Sequence, residues 1–351
     1  MPKICVAVLF GGQSPEHQVS LISAVNVLQH FSKEKYRILP IGIRRDGSFI
    51  YFSKKPILHE HDPKKIQLSP HGERVTFSFG PQKRLYFLET KKQGPKIDII
   101  FPVLHGRNGE DGSVQGLAQL MNVPCVGASV LGSAVGMDKD VTKRLLRDAQ
   151  IPIADFLVFH KSDLSKIRFK HIVQKLGLPF FVKPTTAGSS IGVHKIEGKN
   201  NFHRNVTDAF THSDKILFEK FIAGREIESS VLGNHKPRIS LPGAIIPHHD
   251  FYSYEAKYLD ENGASFEIPV KLSKKITHQI QRTSLAAYKA LSCSGMARVD
   301  GFLKQDGSFF INEINTIPGF TDISMFPKLW ETSGISYPDL LDTLIELAME
   351  T

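Results

Sequence analysis

The chain has 351 residues and a formal net charge of +9, with 41% hydrophobic and 23% charged residues. That length exceeds one ordinary core and suits two or three domains, and the composition excludes a disordered chain. No apolar run approaches the roughly 18 residues needed to cross a membrane, and Cys5, Cys125 and Cys293 lack metal or redox spacing, so no membrane partner and reduced, mostly buried thiols in the cytoplasm are expected.

Strand and helix signals alternate along the chain, the pattern of α/β layers. Residues 4–10 form a continuous apolar run, expected as a strand buried on both faces. Val19, Ile22, Val25 and Leu28 then recur at helical spacing. Residues 36–43 read as a second strand. Residues 44–96 concentrate the charge, with 12 Lys and Arg against 5 Asp and Glu. They lack a recognition-helix pattern, so no nucleic-acid partner is expected. The segment reads as a solvated insert with a surface hairpin, residues 74–79 and 85–88 around Gly80-Pro81-Gln82. A buried strand at 97–104, a glycine-rich stretch at 105–112, a helix after Ser113 and a short strand at 123–126 complete a first domain, 1–126. A charged amphipathic helix at 138–149 leads out of it. Strands at 156–159, 179–183, 193–196 and 216–221, with helices at 163–176 and 201–212, predict a small α+β domain, 127–222. Strands at 227–232 and 238–246, a long helix at 273–291 and a hairpin predict a third, 223–351.

That hairpin carries the first chemistry. Asp306-Gly307 lies between two apolar strands and predicts a two-residue turn, with Gln305 facing Ser308. This register sets Asp300 opposite Glu313 and Arg298 opposite Asn315, all four on one face. Opposed Cβ atoms lie roughly 4.5–5.5 Å apart, so the two carboxylates can share a cation and would repel without one. Two carboxylates and an amide oxygen suit Mg²⁺ or Mn²⁺ rather than zinc. The competing reading is a polar face on which Arg298 pairs with either acid. The loop formers Thr316-Ile317-Pro318-Gly319-Phe320-Thr321 follow directly, and loops at strand ends commonly carry sites.

Neither a P-loop nor a dinucleotide fingerprint occurs. Instead, Phe181-Val182-Lys183-Pro184 leads into Thr185-Thr186-Ala187-Gly188-Ser189-Ser190-Ile191-Gly192. A lysine entering a Gly/Ser/Thr-rich loop is suited to phosphate, which N–H groups and hydroxyls can wrap. The same loop matches a nucleophile elbow, so a serine hydrolase using Ser190 is a rival. The elbow needs a helix after the turn, whereas residues 193–196 read as a strand.

Further motifs are Phe10-Gly11-Gly12-Gln13-Ser14-Pro15-Glu16-His17, Leu104-His105-Gly106-Arg107-Asn108-Gly109-Glu110-Asp111-Gly112, Met137-Asp138-Lys139, Tyr254-Glu255-Ala256-Lys257-Tyr258, Ala297-Arg298-Val299-Asp300 and Asn312-Glu313-Ile314-Asn315-Thr316. In this order, over nearly the whole chain, they resemble the ATP-grasp superfamily and, within it, the D-alanine–D-alanine ligases. The resemblance implies an α/β ATP-grasp fold of three domains, with the active site between the central and C-terminal ones. It implies ATP-dependent ligation of two D-alanine molecules through an acyl phosphate, for peptidoglycan synthesis, by a homodimer.

Residue by residue, the resemblance places two Mg²⁺ (or Mn²⁺) ions on Asp300, Glu313 and Asn315, bridging the ATP phosphates. Lys139, Lys183 and Lys257 add positive charge there. Glu219, Lys220 and Phe221 match the strand lining the adenine slot, with Phe221 where some relatives have tryptophan, and Glu226 matches the ribose contact. Glu16 would hold the ammonium of the first D-alanine, and His105 would support that pocket. Without the resemblance, an acid at that helix start reads as a helix-terminus charge interaction. Arg298 and the Gly319 N–H would stabilise an oxyanion. Ser324 and Met325 would hold the second carboxylate, with Ile323 replacing a histidine seen in some relatives. Tyr258 would close the site by bonding toward Ser189 and Glu16, and it favours an amine nucleophile. Tyr252 and Tyr254 read as loop packing. The alternatives are a D-alanyl-D-lactate ligase, in which that tyrosine is replaced, and a nucleotide-binding protein without catalysis.

Overall fold

A strand that is apolar on both faces has to lie inside a sheet covered on both sides. Strand β1 (Ile4–Gly11) meets that condition, with Val6 to Phe10 wholly buried. The computed structural model describes residues 2–54, 57–60, 62, 65–247 and 263–350. The expectations for Tyr252, Tyr254, Lys257 and Tyr258 therefore concern residues outside the described ones. Helix α1 (His17–His30) packs on β1. Beyond β1 lie β2 (Tyr36–Ile43) and β3 (Phe49–Tyr51). A separate small pair follows, β4 (Leu58–Glu60) and β5 (Gln67–Leu68). Strands β6 (Glu73–Phe77), β7 (Arg84–Phe87) and β8 (Lys92–Lys96) then rejoin the main sheet, and β9 (Ile99–Val103) closes its other side. The spatial order is β8-β7-β6-β3-β2-β1-β9, parallel across β2-β1-β9 and antiparallel elsewhere.

The basic segment is thus no appendage. It extends the N-terminal sheet, because Val75, Phe77 and Leu85 alternate with polar residues and bury one face. Lys92 and Lys96 end on the edge strand, where charge deters further strand addition. The strand expected at 123–126 reduces to one bridge, Ile100 with Cys125, after helix α2 (Ser113–Leu120). All three thiols are free and half-buried.

Helices α3 (Val130–Met137) and α4 (Lys139–Asp148) lead into the central sheet. It comprises β10 (Phe156–His160), β11 (Phe180–Pro184), β12 (His194–Ile196) and β13 (Lys215–Lys220), in the order β10-β13-β11-β12. The helix expected at 163–176 is split into a 3₁₀ turn, Lys161–Lys166, and α5 (Phe169–Leu176). With α6 (Phe202–His212), α5 buries Ile172, Val206 and Phe210 against Phe180 and Phe218.

The C-terminal sheet contains β14 (Arg225–Leu232), β15 (Arg238–Ile239), β16 (Gly243–Pro247), β17 (Ala264–Glu267), β18 (Met296–Leu303) and β19 (Phe309–Asn315). Its order is β17-β16-β14-β18-β19, with β15 paired to β14 and α7 (Lys274–Ala290) packed on it. The strand expected at 238–246 breaks at Pro242, which has no N–H for the ladder; Leu241 N bonds Ser333 Oγ instead, at 2.9 Å. Helices α8 (Met325–Thr332) and α9 (Tyr337–Met349) return to the first domain. Phe320, Phe326, Trp330 and Leu344 share one core with Val8, Phe10 and Phe101, which docks the two ends of the chain.

The hairpin β18–β19 departs from expectation at its turn. Lys304 N donates to Ser308 O at 2.9 Å, so Lys304, not Gln305, faces Ser308 across a three-residue loop with Gly307 at φ 84°. A glycine in the left-handed region is what such a loop requires. Pairing near the turn is therefore one residue off the expected register, as in Leu303 with Phe309 and Gly301 with Ile311. A β-bulge at Asn312 takes up the difference. Asp300 then stands opposite Glu313, and Arg298 opposite Asn315, as expected.

Phe218 is 0% exposed within a ring of Phe159, Phe180 and Phe202. Phe218→Ala is expected to cost about 3–5 kcal/mol, read as a lower denaturant midpoint.

Candidate active site

The central domain supplies one wall of a cavity of about 580 Å³. Asp138 Oδ1 accepts from Asp140 N (2.9 Å) and Val141 N (3.3 Å), an N-cap that starts α4 at Lys139. Lys215 Nζ, 2.8 Å from both Asp138 and Asp140, ties this cap to β13. Lys139 Nζ reaches across to Ala187 O (2.9 Å) and lies 3.4 Å from Glu313 Oε2. On β11 the strand alternation turns Phe181 and Lys183 toward the cavity while Phe180 and Val182 are buried. Lys183 Nζ donates to Glu219 Oε2 at 2.5 Å and lies 3.4 Å from Asn312 Oδ1. Lys143 pairs with the other Glu219 oxygen. Burial pushes the Glu219 carboxyl up, but the ammoniums of Lys143 and Lys183 outweigh it and hold it at about 2.

Phe181 and Phe221, with ring centroids 6.1 Å apart, line the apolar end together with Ile222, Ile246 and Phe302. Glu226 lines the same end from β14. Lys220 also lines it, but its ammonium lies 3.4 Å from Asp155 Oδ2. An apolar slot beside lysines and a Gly/Ser loop is the chemistry of a nucleotide, base at one end and phosphates at the other.

Glu313 and Asn312 close the cavity from the C-terminal hairpin; the bulge lets both neighbours face it. Behind them Asp300, 2% exposed, accepts from Arg298 Nε (2.8 Å), Arg298 Nη2 (2.7 Å) and Asn315 Nδ2 (2.9 Å). Arg298 Nε also lies 2.9 Å from Glu228 Oε2. The pairing of Arg298 with an acid is therefore real, and it coexists with an all-oxygen donor set. Glu313 opens onto the cavity, and Asn315 commits its Nδ2 to Asp300, which leaves Oδ1 as the atom able to face a cation. These residues fit a divalent ion that completes its shell from phosphates and water.

The N-terminal domain reaches the same place through Glu16. It begins α1, yet its side chain makes no capping bond. It accepts from Ser189 Oγ instead, which joins the first domain to the Gly/Ser loop. That loop holds Ser189 at φ 49° and Ser190 at φ 60°, conformations that non-glycine residues adopt at a cost and that cluster at sites. After Gly192 the chain enters strand β12, so the helix required by a nucleophile elbow is missing and the hydrolase reading with Ser190 fails. His105 Nδ1 donates to Ile317 O (3.1 Å) and its Nε2 faces Ser23 Oγ (3.3 Å); burial lowers its pKa and so favours the neutral ring. Ser23 Oγ also accepts from Phe320 N at 3.2 Å, next to Gly319. Gly319 abuts Ser324, whose oxygen would stand 2.7 Å from an added Cβ. Ser324 precedes α8, and the Met325 side chain is buried against Gly243, so only its backbone N–H can meet a carboxylate.

The structure thus places Lys139, Lys183, Ser189, Glu219, Lys220, Phe221, Glu226 and Glu313 around one cavity, with Glu16 bonded to Ser189. Lys143, Glu228, Asn312 and Glu110 were missed. Lys143 follows Lys139 by one helical turn, and Glu228 stands in a strand that is otherwise mostly apolar or small, so both left a signal. Asn312 left none, because a bulge decides where it points.

An α/β chain whose cavity between a small α+β domain and a C-terminal sheet joins a lysine-bearing strand, a Gly/Ser loop and an acidic hairpin is an ATP-grasp ligase. The comparisons sharpen this. The D-ala D-ala ligase N-terminus profile matches residues 5–128, and the D-ala D-ala ligase C-terminus profile matches residues 145–346. A D-alanine–D-alanine ligase of Oceanobacillus iheyensis is 48% identical over 98% of this chain and 95% of its own length. D-alanine–D-alanine ligase A of Escherichia coli K12 is 44% identical over 100% of this chain and 97% of its own. Among solved structures, the Coxiella burnetii D-alanine-D-alanine ligase superposes with TM-score 0.86 at 37% identity, covering 100% of this chain and 95% of that one. The VanG D-Ala:D-Ser ligase of Enterococcus faecalis gives 0.87 at 33%, covering 99% and 100%. The chain belongs to the D-alanine–D-alanine ligase family, which is ATP-dependent and uses a divalent metal.

Glu110 accepts from Gly106 N at 2.7 Å, and burial followed by the neighbouring Glu16 carboxylate pushes its carboxyl up to about 8. A raised acid binds its proton more tightly in the folded state. Its contribution is therefore present in full below about 4.5 and is lost as pH rises through about 8. Wild type is expected to lose stability between pH 5 and pH 8 relative to Glu110→Gln, read from denaturation at both pH values; parallel curves would exclude this.

Proposed function

We propose that this protein joins two D-alanine molecules into D-alanyl-D-alanine for peptidoglycan synthesis, through an acyl phosphate made with ATP. The observation that carries the reading is the Glu16–Ser189 bond, which brings an acid of the first domain to the loop beside Lys139 and Lys183. An ammonium-bearing substrate held by Glu16 then lies next to the phosphate-binding end of the cavity, which is the juxtaposition that carboxyl phosphorylation needs.

In this reading the adenine lies between Phe181 and Phe221, along Glu219 and Lys220, with Glu226 at the ribose. Lys139, Lys183 and Lys257 offset phosphate charge. Asp300, Glu313 and Asn315 would hold two Mg²⁺ (or Mn²⁺) ions, which would supply neutralisation of the charge that builds on transferring phosphoryl oxygens. Arg298, fixed from both sides by Glu228 and Asp300, brings its positive charge to the carboxyl oxygen on which charge develops. The Gly319 N–H aids it. His105, held by Ile317, supports the first substrate's pocket. Ser324 and the Met325 N–H, at the start of α8, receive the second carboxylate. Tyr258 supports an amine rather than a hydroxyl nucleophile on sequence grounds. The same reading divides the chain at 1–126, 127–222 and 223–351 and places it in the cytoplasm as a homodimer.

Phosphate release from ATP is expected with D-alanine and Mg²⁺ and not with L-alanine. Offering D-serine and D-lactate as second substrates checks this; efficient ester formation from D-lactate at neutral pH would sink the dipeptide assignment. Arg298→Ala is expected to lower kcat by about 10²–10³, while the Kd for ATP changes little. A kcat within a few-fold of wild type would remove Arg298 from the oxyanion role.

A further inference from the structure

Lys143 is 1% exposed, an unusual place for an ammonium, and Glu219 pairs with its charge there. It is not among the residues that line the cavity. Its helix, α4, also carries Lys139, and the two lysines lie on one helix face at a four-residue spacing. Lys143 takes one oxygen of Glu219, Oε1, and Lys183 takes the other, Oε2. Glu219 itself is 4% exposed and is held on β13, opposite Phe181 of β11.

We propose that Lys143 is a positioning residue: by occupying Glu219 Oε1 it leaves only Oε2 for Lys183, and so holds the Lys183 ammonium at the cavity wall, where it meets the nucleotide. Without Lys143, a buried carboxylate with both oxygens to satisfy and one lysine within reach draws that lysine inward. Lys183 then chelates Glu219 and withdraws from the Asn312 side of the cavity. The effect falls on nucleotide binding and not on the amino-acid pocket, because Glu16 pairs with Ser189 and Arg298 with Glu228 and Asp300.

This inference rests on the reading of the cavity as the nucleotide site, and Lys183→Met checks that reading by itself: an unchanged KM for ATP in that variant would remove the nucleotide assignment, not the role of Lys143. With the assignment standing, Lys143→Met in the full-length enzyme is expected to raise the KM for ATP at least tenfold and leave the KM for D-alanine within twofold. In the Glu219→Gln background, where no buried carboxylate remains to be shared, adding Lys143→Met is expected to change the KM for ATP by less than twofold. The double variant also keeps the test decisive if Lys143→Met alone does not fold, since it no longer buries an unmatched charge. A KM for ATP unchanged in folded Lys143→Met overturns the proposal. So does a fivefold or larger added effect in the Glu219→Gln background, which would mean that Lys143 acts by another route.

Discussion

A charge taken out of water must be met by an opposite charge or by hydrogen bonds, and the cavity wall of this protein is arranged around that constraint. Glu219 sits between Lys143 and Lys183; Asp300 and Glu228 sit on either side of Arg298; Lys139 lies between Ala187 O and Glu313. Each group is supplied by more than one secondary-structure element. Helix α4 meets β11 and β13 at Glu219, and β14 meets β18 at Arg298. The same pairs that fix the sheets therefore fix the charges, and a ligand that carries phosphates enters a site whose cations are already oriented.

The second constraint is docking. Residues from α8 and α9 complete the core of the first domain, so the last thirty or so residues close the molecule on its beginning. Asn26 Nδ2 and Tyr337 OH both donate to Phe320 O, at 3.3 and 2.9 Å, and Ser23 accepts from Phe320 N. The backbone around Gly319 is thereby held from α1, α9 and the loop of His105 at once. A loop so restrained can present an N–H in a fixed direction, which is what stabilisation of a developing charge demands.

Local pattern revealed much of this. Apolar runs marked the buried strands, helical spacing marked α1, and a charged amphipathic stretch marked α4. The hairpin shows the limit. The expected register of Asp300 with Glu313 is correct, but the route to it was not: the turn holds three residues, and the bulge at Asn312 offsets the difference. Turn length and bulge position depend on how β18 pairs with β14 and how both strands pack against α7, which no short stretch of sequence carries. In the basic segment the expected hairpin forms, as β6 with β7, but its reading as a solvated insert fails for the same reason. Its charges are visible, but the alternating residues that bury it in the N-terminal sheet matter only once β3 is beside β6.

The sequence by itself determined the kinds of groups present: a lysine-bearing strand before a Gly/Ser loop, two acids opposed across a hairpin, and the ordered motifs that mark the family. These follow from local periodicity and residue chemistry, which need no knowledge of distant partners. Only the tertiary structure decided that Glu16 reaches Ser189 across 173 residues, that Lys143 is wholly buried against Glu219, and that Asn312 faces Lys183. Those contacts arise where separate sheets dock. Side-chain position there is set by the packing of whole domains, not by the chain's own neighbours.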